Sequence, residues 1–150
     1  MMKQVLAAVI GTVGFSVLYG VPRQYYPYCG LTGGAGWLVY CLLTPWCSAP
    51  EATLFASVVV ILLSWLFAVR ERCPVTIFLI SGIFPLVPGA GVYWTAYYIV
   101  TNDVMRAAQT GFTALKVAVA IVLGIVFVFQ LPQWVFRLGF LKKRKDDGEK

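Results

Sequence analysis

The stretch FPLVPGAGVYW, residues 84–94, decides how this chain folds, because it interrupts a hydrophobic run of 26 residues with two prolines and two glycines. Pro85 and Pro88 each lack a backbone N–H and crowd the preceding helical turn. Gly89 and Gly91 permit backbone angles that other residues avoid. The stretch therefore predicts a helix that is split in two, with the second half beginning near Gly89.

The composition around this stretch is that of an integral membrane protein. Of the 150 residues, 60% are hydrophobic and only 12% are charged, and the mean hydropathy is +0.81. An ordinary soluble domain has a smaller apolar share and about twice this charge. A helix needs ~20 mostly apolar residues to cross a bilayer with its backbone groups satisfied. We therefore expect a single bundle of helices in the lipid bilayer.

Apolar runs recur along the chain and define this bundle. They cover residues 5–19, 29–46, 52–69, 75–100 and 107–129. The sequence thus predicts an all-α membrane protein, a bundle of about five transmembrane helices whose fourth is broken at the Pro/Gly motif. A bundle of four remains open because the first run is short. Ser48 or Pro50, with Glu51, is typical of the start of the third helix.

The positions of the basic residues predict an orientation. With five spans and the N-terminus outside, nine Lys and Arg residues fall on the cytoplasmic side and two outside, as the positive-inside rule requires. The nine are Arg23, Arg70, Arg72, Arg137, Lys142, Lys143, Arg144, Lys145 and Lys150, and the two are Lys3 and Arg106. We expect a multi-pass protein of the plasma (inner) membrane with a cytoplasmic C-terminus. This bias accounts for the net charge of +6, so no nucleic-acid partner is expected.

Several chemistries lack their usual residues. The chain has no histidine, and its four cysteines show no CxxC spacing, so neither a metal site nor a cofactor is expected. The cysteines are interpreted as buried thiols that pack as small hydrophobic residues. All six acidic residues lie at the ends of apolar runs or in the tail, which removes the group that intramembrane acid–base chemistry needs. The sequence therefore predicts a protein that is not an enzyme.

Small residues spaced four apart predict close helix packing. The pairs are Ala7 and Gly11, Gly30 and Gly34, Ala52 and Ala56, Ala114 and Ala118, and Ala120 and Gly124. The pattern does not distinguish packing within the chain from an interface with a partner. The segment GLTGGAGW, residues 30–37, is the densest and predicts a close backbone contact or a groove wall.

The Pro/Gly motif is expected near the membrane midplane, where the second half-helix would point its free N–H groups at a carboxylate. A simple packing kink is the alternative interpretation. Tyr93 and Tyr97, one turn apart, would line a polar path with their hydroxyls or belong to an aromatic belt. Lys116, the one charge inside a span, would meet an anion or a partner's acid, or snorkel towards the outer surface.

Three segments together resemble a known family. RERCPVTIFLISGIFPLVPGAGVY, residues 70–93, is similar to the signature of the small integral-membrane domain of the threonine/serine exporter family. GFSVLYGVPR (14–23) and GLTGGAGWLVY (30–40) resemble its first two helices in order and spacing, although GVP stands where the family often has asparagine before Val-Pro. By position, the family's motif residues are Pro85, Pro88, Gly89 and Tyr93, together with Gly36, Trp37 and Tyr40 of the second helix.

The resemblance implies a small subunit of a secondary transporter that works with a larger family subunit. The cargo would be threonine, serine or related small carboxylates, and a proton-coupling acid would come from the larger subunit. Residues 1–132 would form the exporter domain and residues 133–150 a basic cytoplasmic tail. A stand-alone homo-oligomeric pore and a structural membrane partner without a substrate site remain as alternatives. The sequence does not specify the substrate, the coupling ion or the stoichiometry.

Overall fold

The computed structural model describes residues 2–130, and helix covers 86% of them with no strand. The helices are α1 Met2–Leu18, α2 Tyr26–Leu43, α3 Ala49–Glu71, α4 Thr76–Ile83, α5 Gly89–Val100 and α6 Val104–Gln130. Short 3-10 turns cover Arg23–Tyr25 and Phe84–Leu86. The all-helical prediction is confirmed for this range. The tail predicted at 133–150, and the last residues of the 1–132 domain, lie outside the described residues.

The described helices differ in their capacity to cross a membrane. By length and composition, α3 and α6 each qualify, and α4 with α5 makes a third span if the bent pair counts as one. Helix α1 is apolar but has only 17 residues, and α2 carries four glycines and three tyrosines that lower its hydropathy. The described residues thus support two or three membrane-capable helices, and the prediction of about five is not confirmed.

The start of α3 follows the local chemistry that its sequence predicts. The backbone N–H of Ser48 donates to Oε2 of Glu51 at 2.9 Å, and the two residues form a capping box. Pro50 lies in the first turn, where its missing N–H costs nothing. The helix ends at Glu71, and the capping residue Arg72 adopts the left-handed conformation with φ 53°.

Helix α2 lies at the centre and packs against α1, α3 and α4. Its glycines allow the approach of α1: a Cβ atom added to Gly30 would stand 3.0 Å from a Val13 methyl group, and one added to Gly33 would overlap Thr12. The α1 face in this contact is buried, and its residues are Ala8, Thr12 and Ser16. The predicted pair of Ala7 and Gly11 instead lies on the exposed side of α1.

Helices α5 and α6 form a hairpin that extends beyond the start of α3. Gly91 packs against Ala114, so α5 runs along the first half of α6. Ser57 of α3 lies against Gly124 of α6, and nearer the start of each helix Glu51 and Lys116 line one cavity, so α3 and α6 run in the same direction. Ala49, eight residues before Ser57, is therefore level with Lys116, eight residues before Gly124. The first twelve residues of α6 then extend roughly 18 Å past the start of α3, at 1.5 Å per residue.

Candidate functional site

The Pro/Gly motif breaks the helix where the sequence predicts it. Helix α4 ends at Ile83, the 3-10 turn follows, and Val87 is extended with ψ 130°. Pro88 caps α5 with ψ 51°. The two halves are bent by 48° relative to each other. The chain therefore has a discontinuous helix, with the second half beginning at Gly89.

Leu86 anchors the break in the core. Its side chain is 5% exposed and belongs to a cluster with Ala56 and Val60 of α3 and Ile121 of α6. A Cβ atom added to Gly36 would be in ordinary contact with Leu86 Cδ1 at 3.8 Å but would overlap a methyl group of Val60, so the glycine of α2 leaves room for Val60 beside Leu86. The break thus begins near the middle of α3 and is held by packing from three helices.

The first turn of α5 presents backbone donors. The N–H of Gly89 donates to the carbonyl of Val87 at 2.7 Å, and the N–H of Val92 donates to the carbonyl of Pro88 at 3.1 Å. The N–H groups of Ala90 and Gly91 lie in the first turn, where a helix supplies no acceptor. The donors available to a ligand are therefore those of Ala90 and Gly91, because the N–H of Gly89 is already engaged.

The first turn of α5 faces outwards from the described residues. A Cβ atom added to Gly89 would meet nothing within 4 Å, and Ala90 is exposed. No residue of α5 is buried, since the helix packs mainly against α6. The described part of this chain therefore supplies one wall around these donors and leaves the other side open.

Tyr93 and Tyr97 lie on the outer face of the hairpin. Their side chains are 63% and 47% exposed. Each ring packs edge-on against Trp94, with centroids 5.4 and 5.6 Å apart. The described residues bring these hydroxyls neither into the bundle interior nor towards α2.

Of the motif residues of α2, Gly36 is buried, and Trp37 and Tyr40 are half-buried against the core. Gly34 lies against Val9 of α1, and Gly36 against Val60 of α3. The rings of Trp37 and Tyr40 are 5.1 Å apart and pack against the Leu86 cluster. The indole N–H of Trp37 is buried and has no acceptor within the described residues.

The unpaired indole N–H of Trp37 leads to a prediction about stability. Replacing Trp37 with phenylalanine removes the buried donor and keeps an aromatic ring, so we expect a free energy of unfolding within about 1 kcal/mol of wild type. Replacement with alanine leaves a cavity and is expected to cost roughly 3–5 kcal/mol. Thermal unfolding in detergent checks both values. A Trp37→Phe variant as unstable as Trp37→Ala would mean that the indole N–H has an acceptor.

Lys116 lies on the exposed side of α6. Its Nζ stands 4.5 Å from the centroid of the Phe112 ring, so the side chain bends towards the start of its helix. No carboxylate of the described residues pairs with it within 4 Å. A long basic side chain bends in this way to bring its charged group from an apolar surface to a polar zone.

Buried hydroxyl groups are a feature that apolar runs do not reveal. Thr12 donates to the carbonyl of Ala8 at 2.7 Å, and Ser64 to that of Val60 at 2.7 Å. Such bonds to the carbonyl four residues earlier satisfy a hydroxyl without a partner helix. Between helices, Thr95 of α5 donates to Thr110 of α6 at 3.1 Å. The spacing of the serine and threonine residues along each helix was the feature of the sequence from which these buried faces could have been predicted.

These features define a helical membrane protein with a discontinuous helix, an arrangement that secondary transporters use to bind substrates. The family model described as Threonine/Serine exporter, ThrE, matches residues 4–130. The chain therefore belongs to the threonine/serine exporter family, as the resemblance of residues 70–93 predicts. Membership places it among membrane proteins of amino-acid export, and a transporter family suggests that it is not an enzyme. No solved structure matches the chain.

Proposed function

We propose that this chain is the small subunit of a secondary transporter that exports threonine, serine or related small carboxylates. The broken helix is the observation that carries the proposal. The N–H groups of Ala90 and Gly91, together with the positive end of the α5 dipole, favour a carboxylate. Pro85 and Pro88 hold the break open. Tyr93 and Tyr97 are proposed to line the path on the side that a partner covers.

A larger subunit of the same family is proposed to complete the site. Helix α5 has no buried residue and exposes Tyr93, Trp94 and Ile99. A second polypeptide on this face would enclose the first turn of α5 and cover apolar surface. The same subunit would supply the coupling acid, because Glu51, Glu71 and Asp103 lie at helix ends.

The mass of the native complex tests this assembly. Purification of the tagged chain in mild detergent should retain a larger membrane protein of the same family. A complex built only of copies of this chain would instead favour the homo-oligomeric pore. No enzymatic role is proposed for either assembly.

The proposed orientation has the N-terminus outside and the C-terminus in the cytoplasm. Cys47 precedes α3 and Cys73 follows it, so the two thiols mark opposite ends of a membrane-capable helix. Burial raises the pKa of the Cys73 thiol, and the nearby Glu71 carboxylate adds to this rise. Its thiolate fraction is therefore low at neutral pH and grows as the pH rises. Labelling is best compared at a pH of about 8.5.

In intact cells that express single-cysteine variants of the protein, an impermeant maleimide is expected to label Cys47 but not Cys73. Permeabilised cells should then label both, and the Cys73 rate should rise about tenfold per pH unit below its pKa. A variant without cysteines sets the background. Labelling of Cys73 alone in intact cells would mean that the protein has the opposite orientation to the one proposed.

A further inference from the structure

An open groove of about 730 Å³ runs between the start of α3 and the outer side of α6. We infer that this α3–α6 groove binds one phospholipid with an amine-bearing headgroup, namely phosphatidylethanolamine. The inference rests on the charges at one end of the groove, on its apolar other end, and on their order along the two helices. It is independent of the transported substrate.

The polar end of the groove carries one cation and one anion. Lys116 and Glu51 both line it, together with the hydroxyl-bearing Ser48 and Thr113. Lys116 has no ion pair within 4 Å among the described residues. One oxygen of Glu51 accepts the Ser48 N–H, which orients the carboxylate, and the Glu51 side chain remains exposed on the groove. A phosphate with a tethered ammonium matches this pair of opposite charges.

The other end of the groove is apolar. Leu54 of α3 and Val119 and Leu123 of α6 line it. Because α3 and α6 run in the same direction, the polar residues lie together at one level and these apolar residues lie together further along. An amino acid would occupy only the polar end, whereas a phospholipid places its headgroup there and an acyl chain along the rest.

The level of the polar end suits a headgroup. Helix α3 is long and apolar enough to cross a membrane, and the groove opens at its start. Trp46, in the turn just before α3, is 87% exposed. Exposed tryptophan at the end of a membrane helix is typical of the interfacial zone. The Lys116 side chain bends towards this same level, over Phe112.

Native mass spectrometry of the purified protein, titrated with phosphatidylethanolamine or phosphatidylglycerol, tests the inference. Wild type is expected to bind phosphatidylethanolamine about tenfold more tightly than phosphatidylglycerol, since only phosphatidylethanolamine offers Glu51 an ammonium. Lys116→Gln should weaken binding of both lipids about tenfold. Glu51→Gln should weaken binding of phosphatidylethanolamine alone, because it removes the charge that pairs with the ammonium. Glutamine at this position still forms a capping box, so α3 is expected to stay intact.

Arg106→Gln is the matched control, because Arg106 lies on the same helix and pairs with Asp103 at 3.3 Å, outside the groove. This variant should bind both lipids as wild type does. The inference is overturned if Lys116→Gln retains phosphatidylethanolamine like wild type, or if wild type binds both lipids equally. Loss of binding in Arg106→Gln as large as in Lys116→Gln, or no bound lipid in wild type, would also overturn it.

Discussion

Replacing Gly33 with leucine is expected to prevent α1 from packing on α2 and to leave little folded protein. A Cβ atom at this position would overlap the side chain of Thr12. Thr12 is fully buried and its hydroxyl donates to the carbonyl of Ala8, so it has no free direction in which to turn. Forcing extra side-chain atoms into a well-packed contact typically costs ~1–3 kcal/mol, and we expect leucine at this closed contact to reach the upper end of that range. That is a large share of a typical folding free energy.

Gly14→Leu is the matched control for this variant, because Gly14 is on α1 and a Cβ atom there would meet nothing within 4 Å. Size-exclusion chromatography and thermal unfolding in detergent should show Gly14→Leu close to wild type and Gly33→Leu aggregated or strongly destabilised. Equal unfolding temperatures for the two variants would mean that α1 does not lie against Gly33.

Replacing Gly89 with leucine is expected to reduce threonine export about tenfold or more while the complex persists. No atom lies within 4 Å of the position of the new side chain, and the φ of Gly89 is not positive, so this chain accommodates it. The leucine would, however, cover the approach to the N–H groups of Ala90 and Gly91. A helix terminus stabilises a partly buried anion by up to ~2 kcal/mol, which exceeds the energy of a tenfold change.

The comparison with Gly91→Leu separates loss of the site from loss of packing. A Cβ atom on Gly91 would stand 3.1 Å from the Cβ of Ala114, so leucine there should push α5 from α6 and disrupt the complex. Val92→Leu alters an exposed residue of α5 and should export normally. Efflux of radiolabelled threonine from preloaded cells measures the rates, and pull-down measures the complex. Normal export by Gly89→Leu would favour the packing-kink interpretation of the motif.

The break in the helix could be predicted because its causes are local. Pro85, Pro88 and Gly89 act on their own backbone whatever surrounds them. The start of α3 was equally predictable, since Ser48 and Glu51 bond to each other within one turn. Both features depend on chemistry within a few residues of the chain.

The packing faces could not be predicted in the same way. The choice between Ala7 with Gly11 and Ala8 with Thr12 depends on where the glycines of α2 lie, which a repeat of small residues on α1 does not reveal. The exposure of Tyr93 could not be predicted either. An apolar run identifies α5 as a helix, but only the contact of Gly91 with Ala114 determines which face is left open. The number of spans was uncertain because α1 is short and α2 is rich in glycine.

The central claim is that this chain exports threonine or serine as one subunit of a two-subunit carrier. The most direct test is efflux of radiolabelled threonine from cells that lack their own exporters and express this chain, the larger family subunit, or both. We predict efflux above background only when both are expressed. Efflux from cells with this chain alone, at the rate of the pair, would contradict the account, and so would a pair that exports no more than empty cells.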